Sequence, residues 1–306
     1  MKMRKGTTAL KKLLSFMLAV GFVFTAACAS KPETAATSGS AAISSGTTLK
    51  EEKTISSREI KVTDDAENKN KKKFSVKRDG FELSGIIYLP EGDGPFPVVI
   101  FAGGLGADYR YLADIAKEQS DNGVAAVLFN FAGVSHIDEL TVLKEAEDLK
   151  VVIGGVRTLS YIDGSKVFLW GHSLGGLVAS YVGCKFPDEI KGMVLVEPAY
   201  AMKDQIKKDY PDLSAVPASV YSKGFIDDLY SFDIYDYMAA FKGNVVIFLG
   251  TTSGAAGTIY PEHFDRAAKL YPSAEIVRIQ GANHNFQPKG WDELIKGTTE
   301  FLKKNI

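Results

Sequence analysis

Six apolar runs recur along the chain: "FPVVIFAGG", "VAAVLFNFAG", "KVFLWGH", "GMVLVEP", "NVVIFLG" and "AEIVRIQGANH". Each is continuously hydrophobic instead of alternating apolar with polar residues, the signature of strands buried on both faces. Between them lie amphipathic segments such as "ELTVLKEAEDLKVVIGGVRTL", whose spacing predicts helices. The alternation predicts an α/β fold, a mostly parallel central sheet with helices on both faces. Two further runs, "FSVKR" and "ELSGIIYLP", add strands ahead of the six. Ligands of such sheets bind at the carboxyl ends of the strands, so the residues closing each run matter most for function.

With 306 residues, 45% of them hydrophobic, the chain can bury the core of one large domain. Its 36 basic and 37 acidic side chains give a formal net charge of -1, which implies no broad attraction to nucleic acid or to an anionic membrane surface. The runs "KKLL" and "KNKKKF" are local exceptions.

The N-terminus carries its own signal. Lys2, Arg4, Lys5, Lys11 and Lys12 precede an apolar run over residues 13–27, the charged and hydrophobic layout of a secretory signal peptide. The run is shorter than the about 20 residues a spanning helix needs. It ends "FTAAC", and the two small residues before Cys28 resemble the lipobox of bacterial lipoproteins. That resemblance implies cleavage after residue 27, acylation of Cys28 and a lipid anchor on the outer side of the cytoplasmic membrane. Thr25 departs from the usual aliphatic residue, and ordinary cleavage with secretion is the alternative. With Cys28 lipidated, Cys184 has no disulfide partner and reads as a small buried apolar residue.

From residue 28 to about 70 the composition turns to Ser, Thr, Ala, Lys and Glu, too polar to offset the entropy of ordering. This predicts a flexible tether over 28–70, with "REIKV" as the one suspected strand in it, and a folded domain over 71–306. Between about 199 and 243 the alternation lapses into a stretch rich in Tyr and Asp. It reads either as a small cap whose aromatic residues line a pocket or as a helical excursion packed on the core.

The segment "VFLWGHSLGGLVAS" joins an apolar strand to a helical run through Gly171, His172, Ser173, Leu174 and Gly175. A GxSxG pentapeptide also arises by chance, but between strand and helix it describes a nucleophile elbow. Such a turn holds its serine in a strained backbone and draws neighbouring chain close, so Gly171 and Gly175 stand where side chains would clash. The helix behind Ser173 aims its first amides at the reacting oxygen, where they favour developing negative charge.

On this elbow, and on "FAGGLGADYRYLADIAKEQSDNGVAAVLFNFAGVSHIDE", "TVLKEAEDLKVVIGGVRT" and "GANHNF", the chain from Phe74 onward resembles the α/β-hydrolases. Within that fold it is similar to the cinnamoyl and feruloyl esterases and their acyl-peptidase-like relatives. The resemblance implies that the loop Ala102-Gly103-Gly104-Leu105-Gly106 supplies one oxyanion-hole amide, that of Gly104, beside the amide of Leu174. Ala102 replaces the family's His, a residue with a mostly structural part there.

A serine needs a base within hydrogen-bond reach, and the chain has four histidines. His284, in "GANHNF" after the last run, matches the family's catalytic His, including the Gly281 ahead of it; a buried structural histidine is the plain alternative. His172 lies inside the elbow, and His263 falls on an amphipathic helix starting near Pro261, where a solvated role is the default. His136, in "GVSHIDE", is a minor candidate for substrate contact.

The family's third triad member follows the strand "NVVIFLG", but here Gly250 is followed by Thr251, Thr252 and Ser253. Glu262, the next carboxylate, is too far along. Without an acid the His tautomer is wrong, a loss of about ten-thousandfold in a well-studied protease. The neighbouring run "GMVLVEP" ends in Glu197, and a charge closing a buried strand needs a partner. Some lipases of this fold carry their acid after this strand. A solvated or cap-binding Glu197 is the alternative.

These residues point to a serine esterase acting on small esters with short-chain or aromatic acyl groups, with Ser173, His284 and Glu197 as triad. No metal-ligand spacing such as HExxH or paired CxxC occurs, and no cofactor is expected. An amidase or peptidase on the same triad, and a non-catalytic surface protein binding in the same pocket, are the other readings. Nothing in the sequence speaks to oligomeric state.

Overall fold

The computed structural model describes residues 54–253 and 259–306, which lie in the second of the two units into which the chain divides, Lys53–Ile306. The signal segment, Cys28 and the tether up to residue 53 lie outside the described residues. Among the described residues, nine strands form one sheet: β1 (Ile60–Asp64), β2 (Lys71–Arg78), β3 (Phe81–Tyr88), β4 (Phe96–Ala102), β5 (Ala125–Phe129), β6 (Ile162–His172), β7 (Gly192–Val196), β8 (Asn244–Gly250) and β9 (Ala274–Ile279). Their spatial order is β1-β2-β3-β5-β4-β6-β7-β8-β9. The pairs β1–β2, β2–β3 and β3–β5 are antiparallel, and every pair from β5 to β9 is parallel.

The continuous apolar runs have the predicted cause. In β4, Val98, Ile100 and Ala102 enter the core on one face of the sheet while Val99 and Phe101 enter that on the other. Helices α1 (Ala113–Asp121), α2 (Val142–Val156), α3 (Leu174–Lys185), α4 (Met202–Asp209), α5 (Lys223–Tyr230), α6 (Pro261–Leu270) and α7 (Trp291–Asn305) surround the sheet. Leu149 and Val152 of α2, Val178 of α3 and Phe264 of α6 fill one core; Ile115 of α1 with Leu294 and Phe301 of α7 fills the other. Local signals start several of these helices. Thr141 caps α2 by accepting from the Lys144 amide, Ser222 caps α5 through the Phe225 amide, and Pro261 occupies the first turn of α6.

The boundary of the domain differs from the sequence reading. The strand suspected at "REIKV" is β1, paired with β2 from Ile60 opposite Val76 to Asp64 opposite Lys72, and Ile55 is buried. The domain therefore starts near Lys53, within the expected tether, and not at residue 71. As an edge strand, β1 leaves its polar side chains in water and buries little, so its composition resembles a linker's.

The Tyr- and Asp-rich stretch lies between β7 and β8. It holds α4, α5 and three short 3-10 turns, and its Tyr200, Phe225, Leu229, Tyr235 and Phe241 are buried in the same core as α2 and α3. The Leu143 amide at the start of α2 donates to Asp228 of α5 at 2.9 Å. These aromatic residues thus pack on the helical layer.

Candidate active site

Strand register brings the site's loops to one edge. Ala102 pairs with Gly171, His172 with Val196, Val196 with Phe248 and Gly250 with Ile279, so the residues after β4, β6, β7, β8 and β9 emerge side by side. At the centre, Ser173 joins β6 to α3 with φ 54° and ψ -118°, a backbone region that L residues avoid and that functional turns hold under strain. Its carbonyl accepts from the Ala199 amide at 2.9 Å and its amide donates to the Val196 carbonyl at 2.9 Å. Gly175 is required by close approach: a β-carbon there would come within 2.2 Å of the carbonyl oxygens of Ala102 and Gly103. The first amides of α3, Leu174 among them, have no acceptor within the helix and face the nucleophile's side of the turn. Gly104 stands close by, since a β-carbon built on it would lie 3.6 Å from Cβ of Ser173.

His284 follows β9 and is 7% exposed; Glu197 follows β7 and is 1% exposed. The structure brings them together, with Nδ1 of His284 3.5 Å from Oε2 of Glu197. The contact is longer than a formed hydrogen bond, a common state of catalytic contacts before substrate arrives. The other carboxylate oxygen accepts from the Gly250 amide at 2.7 Å. Glu197 has φ 44°, rare for a residue with a side chain, and its amide donates to the Phe248 carbonyl at 2.9 Å. The carboxylate is thereby folded back between the ends of β7 and β8.

The stretch without a carboxylate has a different job. The amide and hydroxyl of Thr252 both donate to the Ala282 carbonyl at 2.9 Å, the Thr251 hydroxyl accepts from the Gly281 amide at 2.9 Å, and the Thr251 amide donates to the Ile279 carbonyl at 3.1 Å. These bonds fix the loop that carries His284. Asn283 completes it, its side-chain oxygen accepting from the amides of Asn285 and Gln287 in an Asx-type turn.

The remaining histidines separate. Glu262 is exposed on α6, and His263 there meets the Tyr235 hydroxyl at 2.7 Å and Asp204 at 3.0 Å. His136 packs edge-on against Phe81. His172, which the sequence offered without a part, is the buried hub of the site. Its Nε2 lies 3.0 Å from the His284 carbonyl and its Nδ1 3.1 Å from the Tyr111 hydroxyl, which in turn accepts from the Gly104 amide at 3.0 Å. Burial, reinforced by the nearby charge of His284, pushes the His172 pKa down to about 3, so this ring is neutral. Sequence reasoning missed Tyr111; a tyrosine five residues past the end of an oxyanion loop has no motif to mark it. Cys184 is buried, with its thiol pKa pushed up to about 12 by burial.

Beside the elbow lies a cavity of about 150 Å³ whose walls include Leu177, Ala199, Tyr200, Phe232, Tyr235 and His263. Leu177 and Ala199 both donate backbone amides to the Ser173 carbonyl, while Ser173 and His284 themselves are not among the lining residues. Lys203, Asp204, Asp233 and Arg266 contribute charge to its lining.

Comparison with known proteins agrees with this geometry. Residues 93–254 match the model of the family described as serine aminopeptidase, S33. Over 137 residues the chain is 26% identical to the esterase EstD of Thermotoga maritima, covering 42% of this chain and 33% of that protein. It thus spans about a third of the length of the curated relatives it matches. In structure it is similar to Est1E from Butyrivibrio proteoclasticus, with a TM-score of 0.65 at 19% identity over 76% of this chain and 97% of that one. Est1E is also known with ferulic acid bound. An esterase of Pyrococcus furiosus superposes with a TM-score of 0.58 at 18% identity over 81% of this chain and 91% of that one. The chain has the α/β-hydrolase fold and belongs to the serine aminopeptidase S33 family.

Proposed function

We propose that this protein is a serine hydrolase that cleaves carboxylic esters through an acyl-enzyme. The observation that carries the reading is the positive-φ Ser173 at the head of α3, together with a buried His284–Glu197 pair brought in from the ends of β9 and β7. Ser173 Oγ attacks the ester carbonyl while Nε2 of His284 takes its proton, and Glu197 holds Nδ1–H and offsets the imidazolium charge. The amides of Gly104 and Leu174 receive the oxyanion. Collapse expels the alcohol, protonated by His284, and water then repeats the sequence in reverse to release the acid.

Ferulic acid bound to Est1E supports an ester with an aromatic or short acyl group. The family description favours a second substrate, an amide or peptide bond cut by the same triad. We also infer that Cys28 is acylated after signal cleavage and anchors the domain to the outer face of the bacterial cytoplasmic membrane. The "FTAAC" sequence supports this, and palmitate labelling that vanishes in Cys28→Ala tests it.

Hydrolysis of aryl acetates and an amino-acyl p-nitroanilide, by wild type, Ser173→Ala and Glu197→Gln, tests the activity. Ester cleavage is expected to vanish in Ser173→Ala and to fall by up to about ten-thousandfold in kcat in Glu197→Gln. Full activity of Glu197→Gln would remove Glu197 from the triad. A wild type inert on every ester and unlabelled by a fluorophosphonate would remove the hydrolase reading.

A further inference from the structure

One polar chain in the site enters the mechanism above only through its first donor, the Gly104 amide. It runs from the Gly104 amide to the Tyr111 hydroxyl, on to His172 Nδ1, and from His172 Nε2 to the carbonyl of His284. Its proton order follows from chemistry alone. A carbonyl can only accept, so Nε2 of His172 carries the hydrogen, and in the neutral ring Nδ1 then offers only a lone pair. The Tyr111 hydroxyl must donate to Nδ1, which leaves only its lone pairs for Gly104. Tyr111 therefore has no proton to give an oxyanion and competes for the amide that should bind one.

We propose that Tyr111 is a latch on the oxyanion hole: in the free protein its hydroxyl occupies the Gly104 amide, and substrate engages that amide by displacing it. This rests on the serine-hydrolase reading. Tyr111 is 40% exposed, but its hydroxyl end is buried against Nδ1 of His172, and burial raises the phenol pKa. Its backbone sits in a 3-10 turn, Tyr109–Leu112, pinned independently by Asp108, which accepts from the Arg110 amide, and by Asn130, which accepts from the Tyr109 amide at 2.8 Å. Opening the latch requires rotation of the side chain to carry the phenol into water, where its lost hydrogen bonds are replaced. An oxyanion then outcompetes a neutral hydroxyl for the amide, because charge-assisted hydrogen bonds are roughly twice as strong. The closed latch lowers the fraction of molecules able to take substrate, and apparent affinity falls in proportion.

The test is Tyr111→Phe, which keeps the ring and removes the hydroxyl. Ester hydrolysis and exchange of the Gly104 amide are followed by NMR in both proteins. A hydrogen bond of this kind corresponds to about a two- to tenfold change in an equilibrium, so kcat/KM is expected to rise by that factor, mainly through a lower KM. The Gly104 amide should exchange faster in Tyr111→Phe than in wild type. A tenfold or greater fall in kcat, an unchanged kcat/KM, or equal exchange at Gly104 in the two proteins would overturn the latch. Failure of the hydrolase reading would look different: neither protein would cleave esters or react with a fluorophosphonate. The latch, which rests on that reading, would then fall with it.

Discussion

Glu145 offers a measurement that stands apart from catalysis. It lies on α2, is 0% exposed, and neither carboxyl oxygen has a hydrogen-bond partner among the described residues. Burial holds its pKa well above the usual carboxylate range, with the charges of Asp148 and Asp228 adding to the effect. Asp148 is engaged by Arg78 and by the Ala132 amide, and Asp228 by the Leu143 amide, so neither relieves it. Glu145→Met keeps the length and helix propensity of the side chain and removes the orphaned polar atoms. An unsatisfied buried polar group costs about 1–3 kcal/mol, so the variant is expected to be more stable by about that amount at low pH. The gain should grow with pH. The folded chain retains a proton that the unfolded chain releases near its ordinary value of 4.5, so wild-type stability falls as pH rises from there toward the folded pKa. The slope is about 1.4 kcal/mol per pH unit inside that window. Urea denaturation of both proteins from pH 4 to pH 8 reads the difference directly. A domain of this size gains about 2–4 °C of Tm per kcal/mol, which a thermal melt also resolves. Parallel stability curves across the range, or a Glu145→Met less stable than wild type, would refute the reasoning.

Other perturbations probe the frame of the site. Arg78→Met leaves the buried Asp148 and Glu139 carboxylates without their shared guanidinium, and should cost about 3–5 kcal/mol in chemical denaturation; a loss below about 1 kcal/mol would show the cluster to be incidental. Gly175→Ala places a β-carbon within 2.2 Å of two carbonyl oxygens, so the elbow must shift. Fluorophosphonate labelling of Ser173 is expected to fall at least tenfold even in the folded fraction isolated by gel filtration, and wild-type labelling would contradict the packing argument. The Cys184 thiol, its pKa pushed up to about 12 by burial, should resist a disulfide reagent at pH 8 in native protein and react promptly in urea; fast native labelling would mean that α3 opens readily.

Much of this architecture is legible in the sequence because each level points the same way. The runs around Val98, Val127, Phe168 and Val194 are apolar at every position since both faces of those strands are covered, and that pattern has few other solutions. The elbow shows because its glycines are needed for close approach and its serine sits between a strand and a helix. What stayed hidden depends on contacts across long sequence separations. The strand β1 passes for linker because one side faces water. Tyr111 and His172 lie 61 residues apart, and each looks ordinary alone. Glu145 sits in a helix as amphipathic as any other, and only the packing of α5 and Arg78's cluster around α2 makes it an isolated buried acid.

The relation between Glu197 and the loop after β8 has a physical logic. His284 arrives from β9 and Glu197 from β7, and β8 lies between them. For the two side chains to meet, the end of β8 must be thin and must hold both neighbours in place. Gly250 is thin: a β-carbon there would come within 2.5 Å of the Ala282 carbonyl. Its amide steadies Glu197, while Thr251 and Thr252 bind the backbone on either side of Ala282. A carboxylate on this loop would compete for the position beside Nδ1 that Glu197 already fills, and two buried like charges on one histidine would each lose stability. The threonines supply neutral donors and acceptors to the loop backbone and add no charge. The segment without an acid is therefore the support on which an acid from β7 can face a histidine from β9.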